Sequence, residues 1–265
     1  MTASSYTRLK LTVTDSVARV TLARPETRNA FDDLLVAELT RAFSEIAANN
    51  DVRAAVLAGE GPVFCAGADI AWMRRAGGYT RAENEADAEK MARMLRSIDA
   101  CPKPVIALAH GAAIGGGVGL VAAADIAIAA EETVFSLAEV KLGILPAVIS
   151  PYVLRAIGPR AARDLFLTGD RFGAAEAHRI GLVHAVVSAA DMEAACRKKL
   201  ASLSSSGPEA VRAAKALIET VSGLSPDEAM SITVRAISER RASDEAKEGL
   251  SAFLEKRPAK WTRES

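Results

Sequence analysis

Five of the nine residues from 111 to 119, GAAIGGGVG, are glycine, and they follow almost directly on the apolar run Pro104-Val105-Ile106-Ala107-Leu108-Ala109. The chain must turn sharply off a buried strand there and enter the helix-compatible stretch GVGLVAAA. N–H groups in the first turn of a helix have no partner inside it and sit at the positive end of the peptide dipoles, so the run offers a place for an anionic oxygen. Glycine adds access, because no Cβ keeps a ligand off the backbone. A tightly packed turn without a ligand would satisfy the same pattern.

The surrounding sequence alternates strand and helix. Leu9, Leu11 and Val13 alternate with polar residues, Asp15-Ser16 interrupts, and Ala18, Val20 and Leu22 alternate again, which predicts a hairpin. Leu35, Leu39, Phe43 and Ile46 recur at helical spacing, and Ala54 to Leu57 reads as a short buried strand. GEGPVFCAGAD, residues 59 to 69, is a glycine-containing loop. Met91, Met94, Leu95 and Ile98 form a helical stripe, read as core packing because methionine fills core gaps. A strand at 105 to 109, the glycine turn, a short helix and a strand at Ile126-Ala127-Ile128 follow with almost no connecting loop.

From about residue 200 only helical patterns remain. Val211, Ala214, Leu217, Ile218 and Val221 form one apolar stripe, with further segments at 226 to 241 and 244 to 256. One small core cannot cover all of these faces, so subunit contacts are expected. The expected fold class is α/β, with a core over 1–200 and a helical region over 201–265.

Composition narrows the partners. Lysine plus arginine and aspartate plus glutamate both number 33, so no global field draws the chain to nucleic acid or an anionic membrane. Cys65, Cys101 and Cys196 are odd in number, far apart and without neighbours at metal-ligand spacing, so no metal is expected. A reducing setting fits them. The N-terminal MTASSYTRLK has no apolar core for a secretory signal and no run is long enough to span a bilayer, so a soluble, cytoplasmic protein is expected.

Three kinds of anion site use such glycines. A phosphate-binding P-loop needs Gly-Lys-Ser/Thr at its end, which is missing. The dinucleotide fingerprint is matched formally by Gly117, Gly119 and Ala122, with Glu139 twenty residues past Gly119. Its helix would end near Ala124, too short for the usual parallel crossover. The third is an oxyanion hole for a thioester, and here three blocks speak together: FCAGADI at 64 to 70, KPVIALAHGAAIGGGVGL at 103 to 120 and AEVKLGILP at 138 to 146. In order and spacing they resemble the crotonase (enoyl-CoA hydratase/isomerase) superfamily, over about Leu9 to Lys260.

The resemblance implies a crotonase-like spiral of ββα units, with C-terminal helices that assemble a homotrimer or a dimer of trimers. It assigns the oxyanion donors to the N–H groups of Ala68 and Gly116, and the general acid/base to Glu139. The CoA part would lie along Arg24 to Ala30 and the backbone of Ala66, Asp69 and Ile70, with Arg28 as phosphate contact and Trp72 nearby. Phe253 and Lys256 resemble the segment that approaches adenine and ribose phosphate, often from a neighbouring subunit. CoA belongs to the substrate; no separate cofactor is implied.

One family feature is missing. Members with two carboxylates carry the first glutamate where this chain has Gly119, counted here among the substrate-lining positions. Hydration of a 2-enoyl thioester then needs another group to hold the water, for which Ser136, Ser150, Tyr152 and His110 are candidates; His178 and His184 read as packing residues. Moving a double bond from the 3,4 to the 2,3 position needs only one base, so a delta-isomerase is the alternative, and a catalytically weak acyl-CoA binder is a third reading. GADIAWMRR and LPAVISPYVLRAIGPRAARDLFLTGDRF resemble the bacterial methylglutaconyl-CoA and carboxygeranoyl-CoA hydratase group, which favours hydration of a branched or carboxylated substrate. Arg74 and Arg75 are the cations available to an extra carboxylate. Purely apolar atoms facing the space beside Gly119 would count against hydration.

Overall fold

The computed structural model describes residues 6–262. Met1 to Ser5, part of the N-terminal segment judged above, and residues 263–265 of the helical region lie outside the described residues.

The predicted hairpin is β1 (Leu9–Thr14) and β2 (Val17–Leu22), paired antiparallel with Leu9 opposite Leu22. Asp15 and Ser16 make its turn with positive φ at both residues, the twist that a two-residue hairpin loop requires. Asp32 caps α1 (Asp33–Ala48) by accepting from the Leu35 N–H, and the α1 stripe, Leu35, Leu39, Phe43 and Ile46, is buried. β3 (Ala54–Gly59) then runs parallel to β2. After a loop come α2 (Ile70–Ala76) and α3 (Arg81–Asp99), the latter opened by a Thr80/Glu83 capping box.

Two coils follow, each placing one strand in a large sheet and a three-residue strand in a small one. The first is β4 (Val105–Ala109), β5 (Ala112–Ile114) and α4 (Gly116–Ala123). The second is β6 (Ile126–Ala130), β7 (Val134–Ser136), a 3₁₀ turn at Ala138–Leu142 and α5 (Ser150–Thr168). β8 (Arg171–Gly173), α6 (Ala174–Arg179), β9 (Ala185–Val187) and α7 (Met192–Ser204) complete the core. Among the described residues the large sheet has the order β1-β2-β3-β4-β6-β9, parallel apart from the first pair, and the small sheet has the order β5-β7-β8.

This is the ββα spiral expected. Its main core lies between the large sheet and α1, α3, α4 and α5, and holds Phe31, Phe43, Phe64, Met94, Leu95, Ile98 and Phe135 out of water. The opposite face of the large sheet, with Val56, Ile106, Leu108 and Ile128, packs on Met192 and Cys196 of α7. α4 is apolar all round and buried throughout, which explains why its eight residues show no polar face.

α8 (Pro208–Val221), α9 (Pro226–Ala242) and α10 (Asp244–Leu254) follow as a helical array with little buried side-chain surface. Ile218, Met230, Val234, Ile237, Leu250, Phe253 and Leu254 remain exposed. No helix among the described residues is long and apolar enough to cross a membrane.

Candidate active site

The register of the small sheet brings three distant segments to one place. Cys65 bridges Ala113 in parallel, and Ala113 pairs with Phe135 in parallel, so the three residues form a row across neighbouring strands. Ala68 stands three residues beyond that row on the first segment, Gly116 three beyond on the second and Glu139 four beyond on the third. All three line one cavity of about 230 Å³. Ligand sites of α/β folds favour such carboxyl ends of parallel strands.

Hydrogen bonding fixes the direction of the Ala68 N–H. Phe31 donates to the Gly67 carbonyl (2.7 Å) and Asp69 donates to the Phe31 carbonyl (2.8 Å), forming a parallel bridge between Phe31 and Ala68. Both bonds belong to the residues flanking Ala68, so the N–H of Ala68 points away from Phe31. Neither it nor the N–H of Gly116, the first residue of α4, has an acceptor among the described residues. Two free donors beside one cavity, one of them at a helix start, are suited to a carbonyl oxygen that gains negative charge.

Glu139 lies against the first glycine of the triplet. Gly115 holds φ at 51° and ψ at −115°, and a Cβ added there would come 2.8 Å from Glu139 Oε1. Glycine is required at this position for its conformation and for the room it leaves the carboxylate. Burial raises the pKa of Glu139 above the ordinary carboxylate value, only partly offset by its own backbone N–H, and Oε2 is buried without a hydrogen-bond partner. The other lining residues are apolar or present backbone: Met73, Met91, Leu142, Leu145, Val148 and Ile149 stand among them. A lone carboxyl, half-desolvated and lining one cavity with two free N–H donors, has the chemistry to carry a proton beside a site suited to an oxyanion.

Several expected positions fall elsewhere. Gly119 is buried in α4 and does not line the cavity; a Cβ there would stand 2.9 Å from Ile149 Cβ and 3.6 Å from Leu95 Cδ2. Ile149, 2% exposed at the start of α5, fills that space and forms the cavity wall itself. The three atoms nearest that added Cβ are all apolar side-chain carbons, an outcome that weighs toward the isomerase alternative. None of Ser136, Ser150, Tyr152 and His110 lines the cavity: Ser136 donates to Gly169 O, Ser150 to Ala147 O, and His110 Nε2 contacts Gly61 O. Met91, read as core packing, packs against the core and also lines the cavity.

The residues of the loop expected to cradle CoA fall into buried and exposed positions. Arg24 is turned inward and 6% exposed, bound to Asp32, Asp69 and the Ala30 carbonyl, so it offers nothing to a phosphate. Arg28 holds a left-handed φ of 55° and its carbonyl accepts from Ala66 N–H, so that N–H is no longer free for a ligand. The Asp69 N–H is likewise engaged by Phe31, and its carboxylate caps α2 by accepting from Ala71. Ile70 is exposed and Ala30 is buried. Trp72 is 7% exposed and packed in the core, a correction to its expected contact with substrate, because α2 turns that side inward. Phe253 and Lys256 are exposed at the end of α10 and do not line this chain's cavity. Arg75 pairs with Asp33 at 2.7 Å, and neither it nor Arg74 lines the cavity.

Cys65, three residues before Ala68, is fully buried and its thiol is held protonated. Burial pushes its thiol up to about 12, and Sγ donates to the Asn29 carbonyl.

Comparison with known proteins covers nearly the whole chain. The sequence matches the Enoyl-CoA hydratase/isomerase family over residues 12–264. It is 35% identical over 259 residues to a crotonyl-CoA hydratase of Syntrophomonas wolfei, covering 97% of this chain and 98% of that protein. Among solved structures, an enoyl-CoA hydratase from Shewanella pealeana superposes with a TM-score of 0.93 at 39% identity, covering 96% of each chain. Pseudomonas aeruginosa AtuE superposes with a TM-score of 0.93 at 36% identity, covering 97% of this chain and 100% of that one. With the spiral, the two free donors and the facing carboxyl already in place, the match over nearly every residue makes the chain a member of the enoyl-CoA hydratase/isomerase family.

Proposed function

We propose that this protein is an enoyl-CoA hydratase that works through a single carboxylate. The observation that carries the reading is that, among the described residues, Glu139 is the one acidic side chain lining the cavity with the N–H groups of Ala68 and Gly116. The thioester oxygen sits between the two N–H groups, and the ionised Glu139 removes a proton from water as its oxygen bonds to C3. The π electrons move onto the carbonyl oxygen as an enolate. Glu139, now protonated, returns the proton to C2, so that hydrogen and hydroxyl add to the same face. A raised pKa suits a group that must hold this proton between the two transfers. Hydrogen-bond donors at a developing oxyanion are worth about 3 to 4 kcal/mol each.

The apolar lining supports a branched acyl group. A carboxylated one would depend on Arg74, outside the cavity lining, since Arg75 is held by Asp33. Arg28 is the proposed phosphate contact of CoA. The exposed apolar residues of α8 to α10 support assembly as a homotrimer or a dimer of trimers, with Phe253 and Lys256 presented to a neighbour's ligand.

A second reading, delta-isomerisation, is favoured by Ile149, which leaves no room for a second water-holding carboxylate beside Gly119. One experiment separates the readings: 2-enoyl-CoA, 3-enoyl-CoA and 3-methylglutaconyl-CoA are each supplied to the purified protein and the products identified. The hydratase reading expects a 3-hydroxyacyl thioester without double-bond migration. Migration of the 3-enoyl substrate with no hydration would replace it by the isomerase, and no turnover of any of the three by an acyl-CoA binder.

A further inference from the structure

Arg24 is among the few charged side chains buried in this protein, with 7% of its side chain exposed, and the proton transfers above do not use it. Its Nη2 lies 3.2 Å from Asp69 Oδ2, and its Nη1 lies 3.3 Å from Asp32 Oδ2 and donates to the Ala30 carbonyl. Asp32 and Asp69 are the N-caps of α1 and α2, so one guanidinium ties together the starts of two helices. The residues directly before those caps, Phe31 and Ala68, form the parallel bridge.

Asp69 follows Ala68 directly, and its own N–H donates to Phe31. The Arg24–Asp69 contact therefore clamps the residue next to the free N–H, and neither Arg24 nor Asp69 lines the cavity. A planar guanidinium with several donors in a fixed fork holds two carboxylates and a carbonyl in one geometry, which an ammonium cannot reproduce. Removing it leaves the Asp69 carboxylate in a poorly solvated place without its counter-charge, while Asp32 keeps Arg8 at 3.0 Å.

We infer that Arg24 is a positioning residue for the oxyanion hole: through Asp69 it sets the direction of the Ala68 N–H, and it touches neither CoA nor the acyl group. This rests on Ala68 and Gly116 being the oxyanion donors. It assigns to the buried arginine of the CoA-side loop a part in transition-state stabilisation.

The test reads carbonyl polarisation directly. A chromophoric arylacryloyl-CoA is bound to the parent protein and to Arg24→Lys, Arg24→Met and Asp32→Asn, and the red shift of its absorption is recorded with kcat, KM and melting temperature. Displacing a catalytic group by about 1 Å can cost about 10²-fold in rate, so Arg24→Met is expected to lose about that much kcat with KM within about twofold. Its red shift should shrink, and Arg24→Lys, which keeps the charge and folds more readily, should fall between. Asp32→Asn loses a partner of Arg24 that does not touch the 66–69 segment, so its melting temperature should fall while the red shift stays. A full red shift and parental kcat in both folded Arg24 variants would overturn the inference while leaving the oxyanion hole intact. No red shift in the parent would remove the oxyanion assignment and the inference with it.

Discussion

Ile149 occupies the volume that a side chain on Gly119 would need: an added Cβ would lie 2.9 Å from Ile149 Cβ, with Ile149 Cγ2 closer still. The pair is complementary, a β-branched side chain at the start of α5 packed over a glycine in the middle of α4. A second carboxylate at position 119 is therefore excluded by packing, in keeping with the proposed single-carboxylate site.

Gly119→Glu should destabilise the protein rather than restore a two-carboxylate site. Overpacking a close-packed core costs about 1 to 3 kcal/mol, and here a charge is forced among apolar atoms as well. Gly119→Glu combined with Ile149→Ala should recover part of that loss, because the obstructing atoms beyond Cβ are gone. Denaturant unfolding of the parent, both single variants and the double variant measures the coupling; strictly additive effects would mean that the two positions do not compete for one space.

The pH dependence follows from the burial of Glu139. Its folded pKa lies above the unfolded value, because burial disfavours the charged form. Folding is then unaffected by this group below the ordinary carboxylate pKa of about 4.3, and loses stability as pH rises through the raised value. Activity runs the other way, since the ionised form starts the reaction. The acid limb of kcat/KM should lie above about 4.3, and a pH–rate profile reads it. In unfolding experiments Glu139→Gln should match the parent at low pH and exceed its stability at neutral pH.

Gly115→Ala should lower kcat with little effect on thioester binding. The new Cβ meets Glu139 Oε1 and must also hold a positive φ, at a cost of about 1 to 2 kcal/mol. Steady-state kinetics on the folded variant, with ligand binding measured separately, tests the displacement of the carboxylate.

Arg28→Ala should weaken CoA thioesters selectively. A hydrogen bond to a charged group contributes about 1.5 kcal/mol, so KM should rise about tenfold for acyl-CoA and stay level for acyl-pantetheine, which lacks the nucleotide phosphates. An equal rise for both would place Arg28 elsewhere.

Much of this could be read from residues alone, for physical reasons that differ by element. The hairpin and α1 follow from period-two and helical apolar patterns, and β3, β4, α4 and β6 from short continuous apolar runs bounded by turn residues. β5, β7 and β8 have three residues each, too few to show either, and the row of Cys65, Ala113 and Phe135 that assembles the site is set by pairing between segments far apart in the chain. The roles of Ile149 and Arg24 were hidden for a related reason. An isoleucine in AVIS and an arginine ahead of Pro25 acquire meaning from what they pack against, and nothing in their spacing announces it.

The central claim is that Glu139 alone carries the proton, and it is tested most directly by the turnover of Glu139→Gln with a 2-enoyl-CoA beside its affinity for the same thioester. The account predicts a loss of about 10² to 10⁴ in kcat, the usual contribution of a general acid/base, with binding within about threefold of the parent. Parental turnover in the folded Glu139→Gln protein would contradict it.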